Sequence, residues 1–427
     1  MKSNLFKGSL IYVSGSILTS LVPFILLPIL TRYLSQEDYG QLAIFQTLIS
    51  FVSAFAGLSV IGSVSRKYFE IKDEEEKLAN YNGGAIVILL ISSLIITLIF
   101  FLFQNEIRPL IGIDVDYIYM SILISSCSFL IQLRLTQWQI RENPFSYFLF
   151  VALQGLANLI ITIIAVVIME EGLDGRVYTQ AIISIILSIW SLHSLKVNGL
   201  LAFSKISIET LSEKISFGVP FIPTVVGGLL LTMIDRYVIS QKFGLSEAGI
   251  YMVAAQLSSV FAIVFHAINK AYSPWLFKTL TLDNYSDKVK IVRLTYCYFA
   301  LLLVVAVLMF HLSPLIVNLI VGQNYSESAF LLPWLVIGQI FVGMYLMVTN
   351  YIFYVKSTSI LSIVTLTSGG VNVFLLIVLL ERFSLSGAAY AFCISMFFRF
   401  ILVWLAAHSS YPMPWLKFYK RREYETN

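Results

Sequence analysis

Arg399 stands about twelve residues into an apolar run that ends near residue 408, roughly 18 Å along a helix from the start of that run. A guanidinium keeps its proton even in hydrocarbon, so it needs an anion or must snorkel to the surface. The anion is either a carboxylate of the chain or a phosphate of a ligand. The apolar runs offer almost no carboxylate apart from Asp235, which is followed directly by Arg236. His266 and Lys270 lie one turn apart on a single face together with Gln256, Ser259 and Ile263. Arg32 closes the first apolar run much as Arg236 closes the seventh. Further polar residues recur at helical spacing: Ser9, Tyr12, Ser16 and Thr19; Ser121, Ser125, Ser128 and Gln132; Thr365, Ser368 and Asn372. In hydrocarbon such faces should look inward, either to bind something or to pack small residues against a neighbouring helix.

The signatures of several enzyme classes are missing. There is no GxxxxGK[ST] loop, no HExxH, no GxSxG and no paired Cys/His metal spacing. The cysteines Cys127, Cys297 and Cys393 share no ligand spacing and read as buried free thiols. The four histidines are scattered near the ends of apolar runs, and the basic residues lack the aromatic interleaving of a nucleic-acid surface. These absences point to a chain that is not an enzyme, carries no cofactor or metal, and binds no nucleic acid.

The elements that position these residues follow from composition. Of 427 residues, 58% are hydrophobic and only 12% charged, with a mean hydropathy of +0.85. A soluble chain of this length could not cover its surface with so little charge, whereas lipid tolerates it. Apolar runs of about twenty residues fall near 8–30, 40–64, 83–104, 116–136, 146–169 and 177–196. Six more fall near 213–238, 247–269, 290–311, 329–353, 359–380 and 386–408. The first is too long for a signal-peptide core and lacks a cleavage site. Alternate connections differ in basic residues: 21 Lys and Arg on the side of the termini against 6 on the other, with Arg399 inside a run. The positive-inside rule then puts both termini in the cytoplasm, which requires an even number of crossings. The fold expected is an all-α integral membrane protein of about twelve transmembrane helices.

The longest polar gap, near 197–213, splits the chain into halves that open alike. Val22-Pro23-Phe24-Ile25 answers Val219-Pro220-Phe221-Ile222. Arg32-Tyr33 answers Arg236-Tyr237, and Ser35 to Gly40 answers Ser246 to Gly249. Halves with an even number of helices share one orientation, as in a parallel repeat about an axis along the membrane normal. Two six-helix bundles around a central cavity are expected: residues 1–205, residues 206–411, and a basic cytoplasmic tail at 412–427.

These features together resemble the polysaccharide and O-antigen (Wzx-like) flippases of the multidrug/oligosaccharidyl-lipid/polysaccharide exporter superfamily. The resemblance rests on Leu30-Thr31-Arg32-Tyr33-Leu34 with Asp38-Tyr39-Gly40, on Gly218-Val219-Pro220-Phe221-Ile222-Pro223, on Ile234-Asp235-Arg236-Tyr237-Val238, and on Leu245 to Tyr251. It implies translocation of an undecaprenyl-pyrophosphate-linked oligosaccharide, an O-antigen or capsule repeat unit, across a bacterial inner membrane by alternating access. It also implies a glycan polymerase as a working partner. Arg399, Arg32, Arg236 and Lys270 are the candidates for a cationic cavity, with Asp235, His266, Gln256 and Asn372 in support. The alternatives are a small-molecule or drug efflux transporter of the same superfamily and a membrane glycan polymerase or ligase. The first would favour carboxylates inside the N-terminal spans, and the second a large outer loop; neither is evident.

Overall fold

The computed structural model describes residues 2–71, 74–357 and 359–415. Lys417, Lys420, Arg421 and Arg422 of the expected basic tail lie outside them, as does Lys72. No strand occurs among the described residues. The helices are α1 (Lys2–Tyr33), α2 (Gln36–Phe55), α3 (Ile61–Ile71), α4 (Glu75–Leu102), α5 (Gln104–Ile111), α6 (Val115–Ile140), α7 (Pro144–Ile163) and α8 (Gly172–Val197). They continue as α9 (Ile208–Gly218), α10 (Ile222–Thr232), α11 (Ile234–Phe243), α12 (Leu245–Thr281), α13 (Tyr285–Ile320), α14 (Ser328–Tyr354) and α15 (Ser359–Ser410).

Among the described residues, ten helical segments are long and apolar enough to cross a membrane. One of them, α15, has 52 residues and would measure about 78 Å if straight, more than twice a hydrocarbon core. It breaks at Ser384, where φ is 51° and ψ is −141°, into two spans. With Ile17–Tyr33, the apolar part of α1, twelve crossings result. Large apolar side chains such as Leu94, Val307, Leu315 and Leu319 stand exposed, a surface that lipid solvates and water does not.

Two crossings are interrupted. The second passes from α2 to α3 through Gly57 and Leu58, both at positive φ. The amide freed at Gly57 donates to Ser92 Oγ at 2.8 Å, so the break leaves that donor satisfied. The seventh is assembled from α9, a 3-10 turn at Val219–Phe221, α10 and α11, with Pro220 and Pro223 at the joints. α1, by contrast, runs continuously through Pro23 and Pro28. Of the three cysteines, Cys127 is buried as expected, but Cys297 is exposed on an apolar surface and Cys393 is half-buried.

The chain forms two compact units. Unit 1 comprises residues 1–252 and 321–325; unit 2 comprises 253–320 and 326–427. Within unit 1 the repeated turns meet. Ser35 caps α2 by a reciprocal pair of bonds: its Oγ accepts from the Asp38 amide, and Asp38 Oδ2 accepts from the Ser35 amide, both at 3.1 Å. This cap aims Gly40 at the start of α12. A Cβ on Gly40 would lie 1.9 Å from Leu245 O, and a Cβ on Gly249 would lie 2.2 Å from Gln36 O. Each glycine thus touches the residue four positions before the other. Such reciprocity is what a two-fold relation between the repeats demands, and only glycine permits the approach.

Around this crossing, Tyr325 Oη donates to the carbonyls of Leu34 and Ser35 at 3.0 and 2.6 Å. Thr31 Oγ1 accepts from the Gly322 amide at 3.3 Å, and Gln241 Nε2 donates to Leu110 O at 2.8 Å. At the opposite end of unit 1, α9 packs on α3 and α4. Lys67 pairs with Glu213 at 3.0 Å, and fully buried Lys214 holds its ammonium 3.6 Å from the centre of the Tyr81 ring.

Gly40→Ala should lower the thermal stability of the detergent-purified protein, at a cost on the order of 2 kcal/mol for overpacking. Gly370→Ala, whose Cβ would meet nothing within 4 Å, should leave stability unchanged or raise it slightly. Thermal unfolding of both variants beside the parent checks the contrast.

Candidate functional site

Unit 2 builds its candidate site from α12, α14 and the two arms of α15. Ala388, Ala391 and Ser395, one to three turns before Arg399, are fully buried, so this face of α15 seats closely against its neighbours. That seating holds Arg399 half-buried with its guanidinium 4.2 Å from the centre of the Tyr345 ring. Arg399 Nη2 donates to Tyr345 Oη and to Thr365 Oγ1, each at 3.2 Å. Its Nε is buried without a hydrogen-bond partner. Both Lys270 and Arg399 lie close enough to His266 to act on its charge. Two of the four residues expected to form a cationic site, Arg399 and Lys270, thus lie around the supporting candidate His266, and among the described residues none of the three joins an ion pair.

Of the remaining unit 2 candidates, Asn372 stands seven residues after Thr365 on α15 and Gln256 ten residues before His266 on α12. Asn269 Oδ1 accepts from Asn350 Nδ2 at 2.7 Å, next to Lys270. Asn372 is buried on the face of α15 that also carries Thr365 and Ser368, as the spacing predicts. Gln256 is half-buried and engaged, with Ser259 Oγ donating to its carbonyl at 2.8 Å.

The unit 1 candidates are engaged locally. Arg32 is exposed and turns back along its own helix, Nη1 donating to Pro28 O at 2.6 Å. Asp235 is only 3% exposed and accepts from Arg236 Nη1 at 3.2 Å and from the buried Tyr251 hydroxyl. Arg236 also donates to Thr232 O. Asp235 therefore neutralises its neighbour and anchors α12 to α11. The α6 stripe divides: Ser121 and Ser125 are buried, with Ser125 Oγ donating to Ile49 O at 3.0 Å, whereas Ser128 and Gln132 are exposed. Arg134, off that stripe, is buried over Trp138 with 4.3 Å to the ring centre. Tyr12 Oη reaches Trp138 O at 3.3 Å; Ser9 and Ser16 of the α1 stripe lie outside the described side chains.

One group escaped the sequence reading, in which Arg176 is one of the six basic residues counted on the side away from the termini. Arg176 stands about one turn inside α8, its Nη1 donating to Asn158 Oδ1 at 2.8 Å and to Thr162 Oγ1 at 3.1 Å. One turn on, Gln180 Oε1 accepts from Gln46 Nε2 at 2.8 Å. The signal was available: Arg176/Gln180 and Asn158/Thr162 are two polar pairs at i, i+4 on successive apolar runs. Among the described residues no group of His, Cys, Asp and Glu is placed to hold a metal.

A family profile described as "Polysaccharide biosynthesis protein" matches residues 5–280. "Lsg locus putative protein 1" of Haemophilus influenzae is 25% identical over 368 residues, covering 84% of this chain and 86% of that protein. An "Uncharacterized membrane protein" of the same organism is 27% identical over 388 residues, covering 86% and 88%. Among solved structures, an inward-facing multidrug resistance MATE family transporter of the MOP superfamily matches with a TM-score of 0.74 at 13% identity, over 93% of this chain and 94% of that one. The lipid II flippase MurJ in an inward closed conformation matches with a TM-score of 0.69 at 14% identity, over 95% and 86%. These two likenesses bear on the fold.

Asp235→Ala should destabilise the protein by on the order of 3 kcal/mol, because it strands Arg236 and the Tyr251 hydroxyl in a buried setting. Arg32→Ala, which removes an exposed side chain bonded only to its own helix, should cost less than about 0.5 kcal/mol. Thermal unfolding separates the two.

Proposed function

The chain belongs to the polysaccharide biosynthesis protein family, and on that premise we propose that it is a flippase for an undecaprenyl-pyrophosphate-linked oligosaccharide. In this reading it carries an O-antigen or capsule repeat unit from the cytoplasmic to the outer leaflet of a bacterial inner membrane. It does so by alternating access of two six-helix halves, residues 1–205 and 206–411, with both termini in the cytoplasm. A glycan polymerase then consumes what it delivers.

The observation that supports this reading is the pair of cations Arg399 and Lys270 beside His266, in which Arg399 Nε lacks a partner. Cations inside a membrane protein without carboxylates to match them favour an anionic cargo, and a guanidinium suits the oxygens of a diphosphate. The surrounding hydroxyls, amides and aromatic rings at Tyr345, Thr365, Asn269 and Asn350 suit sugar units. The carrier's polyprenyl tail stays in lipid throughout, so the protein needs to shelter only the polar head. Arg32 and Arg236 belong to the proposal in a lesser role, since both are already engaged in unit 1. A drug exporter on the same fold is the second reading, favoured by the likeness to the multidrug transporter. It would move cations or neutral molecules, to which this cationic group is ill matched.

In a strain depending on this protein for glycan export, its depletion should make lipid-linked repeat units accumulate in the cytoplasmic leaflet. Arg399→Ala should reproduce that accumulation at normal protein level, cutting export at least tenfold, with Arg399→Lys falling between. Undiminished surface glycan in Arg399→Ala would remove this residue from the translocation path. Lipid-linked fractions and surface glycan measured side by side give the answer.

A further inference from the structure

We propose that the second crossing carries a two-position hinge at residues 57–59. α3 is docked on α9 in this structure, and it swings away when the hinge winds into helix and joins α2 and α3 into one. The inference goes beyond the flippase reading and borrows from it only the side of the membrane. In that reading α3 lies at the cytoplasmic end of unit 1, where the swing gates entry.

The hinge is strained. Gly57, Leu58 and Ser59 stand in succession at φ of 72°, 49° and 55°, a left-handed run in the middle of a crossing. For Leu and Ser this conformation brings Cβ against the following carbonyl, so it persists only where the surroundings hold it. Those surroundings are visible. The Gly57 amide, freed from the helix, donates to Ser92 Oγ at 2.8 Å, and a Cβ on Gly57 would lie 2.2 Å from the Phe129 ring. Leu58 O faces Gly218 so closely that a Cβ on Gly218 would come within 2.2 Å of it. With residues 57–59 right-handed instead, α2 and α3 form one helix over Gln36–Ile71, whose 36 residues measure about 54 Å.

What lies beyond the hinge is lightly held. Of its eleven residues α3 buries only Ser63 and Val64. It holds α9 through the Lys67–Glu213 pair at 3.0 Å and through Gly62, where a Cβ would lie 3.0 Å from the Phe217 ring. α9 itself is fixed. Asn82 Nδ2 donates to Leu200 O at 2.8 Å, the Ala202 amide to Ala79 O at 3.1 Å, and the Lys205 amide to Asn80 Oδ1 at 2.8 Å. These bonds strap the segment leading into α9 onto α4, and Lys214 over the Tyr81 ring pins α9 to the same helix. α9 is therefore the dock and α3 the moving part. Glu75 follows four residues after Ile71, so the far end of α3 stays within about 14 Å of α4 and the motion is a swing.

The test uses the full-length protein in detergent, its three cysteines replaced by alanine, with distances between paired spin labels read by pulsed electron resonance. One pair joins Phe69→Cys on α3 to Val197→Cys at the end of α8. A second joins Ile208→Cys on α9 to the same Val197→Cys; all three positions are exposed. The α3 pair should give two distances and the α9 pair one. Leu58→Gly, which relieves the left-handed strain, should shift the α3 pair at least threefold toward the docked distance. Gly57→Ala, whose Cβ meets the Phe129 ring, should shift it at least threefold the other way. Because Gly57→Ala also burdens the fold, Glu213→Gln gives a second route. It weakens the hold on Lys67 at an exposed position and should shift the α3 pair in the same direction as Gly57→Ala. A single unchanged distance in the parent and in every variant that folds overturns the proposal. So does an α9 label that moves with the α3 label, or a shift of Leu58→Gly and Glu213→Gln in the same direction. No substrate enters the measurement, so a failure of the flippase reading appears in export by the Arg399 variants and not here.

Discussion

Two helices can cross backbone to backbone only where neither carries a Cβ, and Gly40 and Gly249 meet that condition for each other. Much of unit 1 is organised around this approach. The Ser35 cap sets the direction of α2, the Asp235–Tyr251 bond sets the start of α12, and Tyr325 closes over the carbonyls at the end of α1. A side chain at either glycine would push these starts apart and disturb every one of those bonds. The repeated Ser-acid-Gly turn is thus one contact made twice, which explains why both copies keep a glycine within a few residues of the serine.

A second constraint comes from charge in a low dielectric. Cations at Arg236 and Lys67 are matched by carboxylates, and those at Arg134 and Lys214 rest on aromatic rings with nowhere to send a ligand. Arg399 and Arg176 differ, because each guanidinium is hydrogen-bonded to uncharged polar side chains of neighbouring helical segments. Retaining such groups costs stability that packing elsewhere must offset. That cost accords with the proposed function, in which an anion is bound and let go.

How much of this was legible in the sequence depends on the kind of signal. Apolar run length and loop charge are one-dimensional properties, so the crossings could be counted from them. Even the broken α15 was separable, because polar residues around Arg382 and Ser384 interrupt the run. The α6 stripe was only half legible, since helical spacing says which residues share a face but not how far along the helix that face stays covered. Asp235 and Arg236 were seen as a pair, but their service to Tyr251, sixteen residues away, needed the third dimension. Arg176 was missed because a basic residue near a predicted span end looks like loop charge. What sets it apart from loop charge is the neighbour it bonds on another helix. The reciprocal glycines could not be read at all, because nothing in a sequence says which backbone a missing Cβ makes room for.

In the proposed function this chain moves an anionic lipid-linked glycan by means of unmatched cations. Reconstitution tests it most directly: purified protein in vesicles holding undecaprenyl-pyrophosphate-linked oligosaccharide, with transbilayer exchange followed by an impermeant glycan-cleaving enzyme added outside. The account predicts that inner-leaflet glycan becomes cleavable faster than in protein-free vesicles, and that Arg399→Gln removes most of the acceleration. Exchange no faster than in empty vesicles, alongside transport of small organic cations, would contradict it.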